Sequence, residues 1–231
     1  MLPPQLYALF VSGSCNFECD YCYFPKIERQ DMTVETAMAV LDFIAGREAE
    51  KSDIGFFGVE PLLNFELIRW FLANSAEKVS NAVFSLNTNG AFLDGEKLGV
   101  LSKHGVRIAL SLDGGGLTHD MHRRAAGLGG TFGTVEKRLK ELTEYEPAIY
   151  TRITVSPDNA GKIHEMIEAI RQMGFKKAGF SMDFTAEFDE IKLQAFRTSL
   201  LKAAEEHSKR LRDCDFGFSI ATLEGAARRR H

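Results

Sequence analysis

The feature that most constrains the fold is a repeated pairing: a short apolar run, then a stretch of helical periodicity. The runs Leu6–Ser12, Asp53–Phe57, Ala82–Leu86, Val106–Leu112, Ala148–Val155 and Lys176–Met182 read as strands. The segments Val34–Glu48, Phe65–Val79, Asp94–Lys103, Thr131–Tyr145, Ala160–Met173 and Asp189–Cys214 read as helices. Val34, Met38, Leu41 and Ile44 recur at helical spacing behind a Thr33 cap, a Thr caps the fourth helix, and Gly174 sits where a helix stops. The strands are mostly apolar rather than alternating, as in a parallel sheet covered by helices. Parallel neighbours require right-handed crossovers, so the α/β chain is expected to form a doubly wound sheet or a barrel. No GxGxxG follows the first strand, which weakens a dinucleotide-binding reading.

With 231 residues, 45% of them hydrophobic and 18 of them Phe, the chain can bury a substantial core. It contains no linker and no low-complexity tract. One domain over 1–231 is therefore expected, with the β/α units in 6–183 and a final helix and tail in 184–231. On that helix, Phe196, Leu200, Ala204, His207 and Leu211 form an apolar stripe with Cys214, read as a buried thiol. The tail Arg228–His231 reads as a frayed basic end. A net charge of −4 argues against a nucleic-acid partner. No apolar run is long enough to span a membrane and no secretory signal opens the chain, so a cytoplasmic location is expected.

Small and polar residues gather where the strands end: Ser12-Gly13-Ser14-Cys15, Gly58-Val59-Glu60-Pro61, Asn87-Thr88-Asn89-Gly90, Asp113-Gly114, Ser156-Pro157 and Asp183. In parallel α/β folds the carboxyl ends of the strands carry the chemistry. The segment Gly114–Gly130 is expected to be a long functional loop.

Three of the four cysteines sit in the first of these loops as Cys15-x3-Cys19-x2-Cys22. Thiolates suit iron–sulfur clusters and zinc. A structural zinc site wants four ligands, usually paired knuckles, and no second knuckle is present. His119 and His122 form an HxxH pair better read as loop packing. A Cys19/Cys22 redox pair would leave Cys15 unexplained. Three thiolates can hold three corners of an iron–sulfur cube and leave one iron open.

The chain resembles the radical S-adenosylmethionine (SAM) enzymes. The resemblance rests on CxxxCxxC with Tyr21 before the last cysteine, and on Gly58-Val59-Glu60-Pro61 where the family has Gly-Gly-Glu-Pro. Asn87-Thr88-Asn89-Gly90 and Ser111-Leu112-Asp113-Gly114, followed by His119-Asp120 and Arg123, look like the branch of anaerobic sulfatase-maturing enzymes and ribosomal peptide maturases. The resemblance implies a partial (β/α)6 TIM-type barrel with a 4Fe–4S cluster on Cys15, Cys19 and Cys22. It implies SAM on the fourth iron, cleaved by one electron from a flavodoxin or ferredoxin to a 5′-deoxyadenosyl radical, and a peptide or protein substrate. By the same resemblance the backbone of Gly58, Val59 and Glu60 would meet the SAM ammonium, with Glu60 adding charge. Ser111 and Arg123 would hold its carboxylate, Asn87 and Asn89 would line the ribose, and Tyr21 would pack near the adenine. Asp113 counts among these cofactor contacts. A small-molecule substrate, or an iron–sulfur module without catalysis, are the alternatives. Two departures stand out: Val59 replaces a glycine, and the chain stops before the cysteine-rich SPASM or twitch extension usual in that branch, so that it either lacks auxiliary clusters or is a truncated form in which 184–231 begins the extension.

Overall fold

The computed structural model describes residues 2–24, 30–47, 49–125, 127, 129–144, 149–212 and 217–220. Its elements are β1 (Gln5–Ser12), α1 (Val34–Ala45), β2 (Ser52–Gly58), α2 (Phe65–Lys78), β3 (Ala82–Thr88), α3 (Gly95–Lys103), β4 (Arg107–Ser111), α4 (Gly116–His119), β5 (Arg124–Ala125), β6 (Gly129–Gly130), α5 (Phe132–Glu144), β7 (Ile149–Val155), α6 (Ile163–Gln172), β8 (Lys177–Met182), α7 (Glu190–Arg212) and β9 (Gly217–Ile220). Seven strands form one sheet in the order β1-β2-β3-β4-β7-β8-β9, and every pairing in it is parallel. The six expected strands are all present. The seventh, β9, falls in the segment expected to be tail, because four residues between uninformative neighbours carry no pattern of their own. Cys214 and Arg228–His231 lie outside the described residues.

The strands are not apolar on both faces. Ile149, Ile153 and Val155 of β7 are buried beneath the helices, while Tyr150, Arg152 and Thr154 point the other way and are half-buried. Residues in register across parallel strands share a face. Gly55 therefore aligns with Ser85, Asn87 with Ala109, Ser111 with Arg152, and Thr154 with Ser181. This inner face mixes such small and polar residues with Phe57 of β2, and it borders open space that Met182 of β8 also lines. The outer face forms the core with α1, α2 and α6, through Leu41, Ile68, Phe71, Met166 and Ile170. Phe56 of β2 sits edge-on to Phe71 at 5.7 Å and stacks on Phe84 at 6.0 Å.

Local signals place most helix ends. Thr33 Oγ1 accepts from the Thr36 amide at 3.2 Å and Asp94 Oδ1 from the Lys97 amide at 2.9 Å, so two Asx/Thr caps start α1 and α3. Gly174 follows α6 with φ +95°, the left-handed turn that ends a helix. The cap of α5 differs from expectation. Asp120 accepts from the Phe132 amide at 2.8 Å, while the Thr131 hydroxyl donates to the Arg123 carbonyl at 2.9 Å. Thr131 is thus used inside the loop. The segment 114–130 itself holds α4 and the β5–β6 hairpin.

His119 ends α4 with no exposed surface. Its Nδ1 lies 3.4 Å from the Asp113 amide and its Nε2 3.1 Å from Thr131 Oγ1. Burial, reinforced by the Arg123 charge, lowers its pKa from 6.5 to about 4. The folded state therefore holds His119 neutral where the unfolded chain binds a proton. Stability present above pH 6.5 is lost as the pH falls toward 4, by roughly 3 kcal/mol. Urea titrations across pH 4–7 should show this slope in the wild type and a shallower one in His119→Asn.

Candidate active site

The end of β1 turns into the cysteine loop under tight backbone control. Gly13 N donates to Asp31 Oδ1 at 2.8 Å, and the Ser12 hydroxyl meets the same oxygen at 3.0 Å. Val59 N donates to Ser12 O at 3.0 Å and Glu60 N to Ser14 O at 2.9 Å, so the loops after β1 and β2 are laced together. The far side of the cysteine loop is tied to segment 114–130. Glu18 N donates to Arg124 O at 2.6 Å, Asp20 N to His122 O at 3.2 Å, and the His122 ring bridges Asp20 Oδ1 at 2.9 Å and Ser156 Oγ at 2.8 Å. The expected functional loop is thus a brace for the cysteines.

Cys15, Cys19 and Cys22 are free thiols on the wall of one cavity of about 560 Å³. Burial pushes the Cys15 thiol up and takes Cys19 to about 11 against the pull of Arg123, with Cys22 adding to both shifts and Cys15 to that of Cys19. All three line the same cavity, and any metal they held would have to displace their protons. The Phe17 amide donates to Cys15 Sγ at 3.3 Å and Asn89 Nδ2 approaches it at 3.7 Å, donors that favour thiolate charge. Among the described residues, no group of three or more His, Cys, Asp and Glu is placed to share a single metal ion. His119 and His122 are engaged as described above, each with its own partners.

Glu60 is 1% exposed. Its Oε1 accepts from Thr88 Oγ1 at 2.6 Å and from the Leu62 amide at 3.1 Å, and its Oε2 from the Asn89 amide at 2.8 Å. Burial raises its pKa against these hydrogen bonds. Its carboxylate caps the 3-10 turn Pro61–Asn64 and joins the β2 and β3 loops, a scaffold task beside the charge expected of it.

The glycine requirement of Gly58-Val59-Glu60-Pro61 falls on its first residue. Gly58 has φ +153°, and a Cβ there would stand 2.6 Å from Ser12 O and 2.9 Å from Ser12 N. Val59 keeps its ladder bond to Ser12. Gly58→Ala is expected to destabilise the chain by roughly 1–3 kcal/mol and to disorder the cysteine loop. Val59→Gly should leave SAM affinity within about threefold, a difference under 1 kcal/mol. Calorimetric unfolding and SAM titration check the pair.

Asn87 and Asn89 separate in role. Asn89 Nδ2 donates to Asn16 Oδ1 at 2.9 Å and its Oδ1 accepts from the Ala91 amide at 2.9 Å, so it braces the cysteine loop. Asn87 lines the cavity, and its Oδ1 is buried with no partner among the described residues. Ser111 also lines the cavity. Asp113 stands behind the wall with no exposed surface. It accepts from Arg123 Nε at 2.9 Å, Arg123 Nη2 at 3.2 Å and the Thr154 amide at 2.8 Å, and from the Tyr21 hydroxyl. It thus acts on the cavity through Tyr21 and Arg123, not by direct contact. Burial opposes the Arg123 charge, but Asp113, with Tyr21 and Cys19, turns the net shift upward. The Arg123 guanidinium lies 5.3 Å from the Tyr21 ring. Asp20 and Thr154 carried no signal in the sequence, and Ser156 only its place at a strand end, since the partners named here are 34 to 102 residues away.

The donor set fits a cluster and SAM: three free thiols lining one cavity of about 560 Å³, with an orphaned buried carbonyl oxygen at Asn87. Residues 9–170 match the radical SAM superfamily model. The chain belongs to the radical SAM superfamily. Superfamily members use a 4Fe–4S cluster and SAM. The fold agrees. The anaerobic sulfatase-maturating enzyme anSMEcpe, solved with bound AdoMet and the Kp18Cys peptide, superimposes with a TM-score of 0.83 at 19% identity, over 96% of this chain and 65% of that one. SuiB of Streptococcus suis bound to precursor peptide SuiA gives 0.67 at 14% identity, over 94% of this chain and 48% of that one. In sequence, the cysteine-type anaerobic sulfatase-maturating enzyme of Clostridium novyi (strain NT) is 24% identical over 71% of this chain and 47% of its own length. The chain spans about half to three-fifths of the length of the first curated relatives it matches. The described helices include none long and apolar enough to cross a membrane.

Proposed function

We propose that this chain is the catalytic core of a radical SAM enzyme that modifies a peptide or protein side chain. The observation that carries the reading is that Cys15, Cys19 and Cys22 line one cavity together with Asn87 and Ser111. Cys15, Cys19 and Cys22 would hold the cluster. The carbonyls of the Gly58–Glu60 loop would receive the SAM ammonium, Asn87 a ribose hydroxyl, and Tyr21 would lie against the adenine. Together, when bound and reduced by one electron, cluster and SAM supply a 5′-deoxyadenosyl radical for hydrogen abstraction. The chain's own part is position and exclusion of water. The Asp113–Arg123–Tyr21 group fixes the cysteine loop on one side, and Glu60 with Asn89 fixes it on the other. The peptide substrate is supported by relatives that include sulfatase-maturating enzymes and a sporulation killing factor maturation protein. A flavodoxin- or ferredoxin-type protein would deliver the electron.

Anaerobic reconstitution should give a brown protein with about four irons per chain. Reduced protein incubated with SAM should release 5′-deoxyadenosine. Intact cluster without that product would favour a non-catalytic module, and colourless protein carrying zinc would overturn the cluster.

A further inference from the structure

The two residues between Cys19 and Cys22 are clamped one by one, Asp20 by His122 and Tyr21 by the ion pair of Arg123. Tyr21 is held through its hydroxyl by Asp113, which also binds Arg123. Asp20 is held twice by His122: its amide donates to the His122 carbonyl at 3.2 Å, and its Oδ1 accepts from His122 Nδ1 at 2.9 Å. A carboxylate only accepts, so Nδ1 carries a hydrogen in either charge state of the ring. His122 Nε2 lies 2.8 Å from Ser156 Oγ, and the Ser156 amide donates to Asn159 Oδ1 at 2.9 Å. Asn159 Nδ2 donates in turn to the Thr154 carbonyl at 2.9 Å. The imidazole thus spans from the cysteine loop to the end of β7, with its ring 5.2 Å from that of Tyr21.

Ser156, His122 and Asp20 have the composition of a hydrolytic relay but the opposite exposure. Such a relay needs an open serine and a buried carboxylate. Here Ser156 is 2% exposed, the Asp20 side chain is 56% exposed, and none of the three lines the cavity. Support therefore runs outward, from buried β7 through the ring to the loop. In Cys-x-x-Cys the two middle residues set how the flanking sulfurs face each other. The Cys22 amide donates to Cys19 O at 3.1 Å, which closes that turn. A loop ordered by its ligands loses backbone freedom on binding, and contacts made beforehand remove that cost from ligation. Groups of this kind orient the ligands of a metal without touching it.

We propose that His122 is a positioning residue for the cluster: through Asp20 it holds the Cys19–Cys22 turn in its ligating shape, with Ser156 fixing the ring. The inference rests on the cluster reading given above and adds a side chain outside the ligand set that controls how firmly iron is kept.

The test uses the full chain, reconstituted anaerobically, and follows iron loss from the reduced protein to bathophenanthroline disulfonate. His122→Phe keeps a ring and removes both of its hydrogen bonds, and iron should leave about tenfold to hundredfold faster. Asp20→Ala, at an exposed side chain, should do the same and keeps the question answerable if His122→Phe does not fold. The double variant should lose iron no faster than either single one, since the two residues act as one pair. His122→Asn places an amide nitrogen where Nδ1 stood and should return the rate to within about threefold of wild type. The g values of the reduced cluster should shift in His122→Phe and Asp20→Ala and return in His122→Asn, a signature that a fall in global stability does not produce. Wild-type release and g values in Asp20→Ala would overturn the role, and so would iron lost equally fast from His122→Asn and His122→Phe. A wild type that holds no iron–sulfur cluster would bring down the cluster reading itself, and this role with it.

Discussion

Cys19→Ala is expected to drop iron content from about four per chain to below about one and to reduce 5′-deoxyadenosine release to background. Cys19 is the most informative of the three because its sulfur is coupled to both others and to Arg123. Removing it leaves Cys15 and Cys22 without the middle support. Two thiolates hold a cube by one edge and leave it free to exchange or fall apart. Iron analysis and the charge-transfer absorbance of anaerobically reconstituted variant and wild type provide the measurement. The fold should persist, since the core under the helices contains none of the three sulfurs. Full iron loading in Cys19→Ala would show that the cluster is held elsewhere.

Asp113→Ala is expected to cost roughly 3–5 kcal/mol, because it leaves the Arg123 guanidinium buried without its counter-charge. Asp113 and Arg123 side chains are 0% and 8% exposed, so water screens little of the effect. The corresponding fall in melting temperature is roughly 6–20 °C for a chain of this size. The same variant frees the Tyr21 hydroxyl and the Thr154 amide, so the cysteine loop loses its inner tether and iron loading should fall with stability. The double variant Asp113→Leu, Arg123→Met removes both charges together and should recover most of the stability, since an apolar pair of similar volume replaces a buried ion pair at little cost. Iron loading should not recover in the double variant, because Tyr21 still lacks its acceptor. Urea titration and iron analysis on the three proteins provide the measurement. Equal stability of Asp113→Ala and wild type would mean that the pair is not isolated from water in solution.

Much of this was legible along the chain. The six β/α units appear with boundaries shifted by at most three residues, because Thr33, Asp94 and Gly174 are local devices that act within one turn. The three cysteines were legible because their spacing keeps them in one loop whatever the rest of the fold does. The glycine problem was misplaced from Gly58 to Val59, because the constraint is the approach of Ser12 from another strand. Thr131 looked like a cap, yet Asp120 caps the helix and Thr131 serves Arg123 and His119. Asp113 looked like a cofactor contact and proves to be a buried bolt. Each of these depends on a partner that only folding brings near.

Periodicity, local capping and cysteine spacing determined the alternation of strands and helices, the parallel sheet and the thiol trio, since each acts between residues a few positions apart. The tertiary structure alone decided that Arg123 is already neutralised by Asp113, because charge pairing follows distance in space. It likewise decided that the inner face of the sheet borders a cavity: the register of strands far apart in the chain sets which small and polar residues meet there.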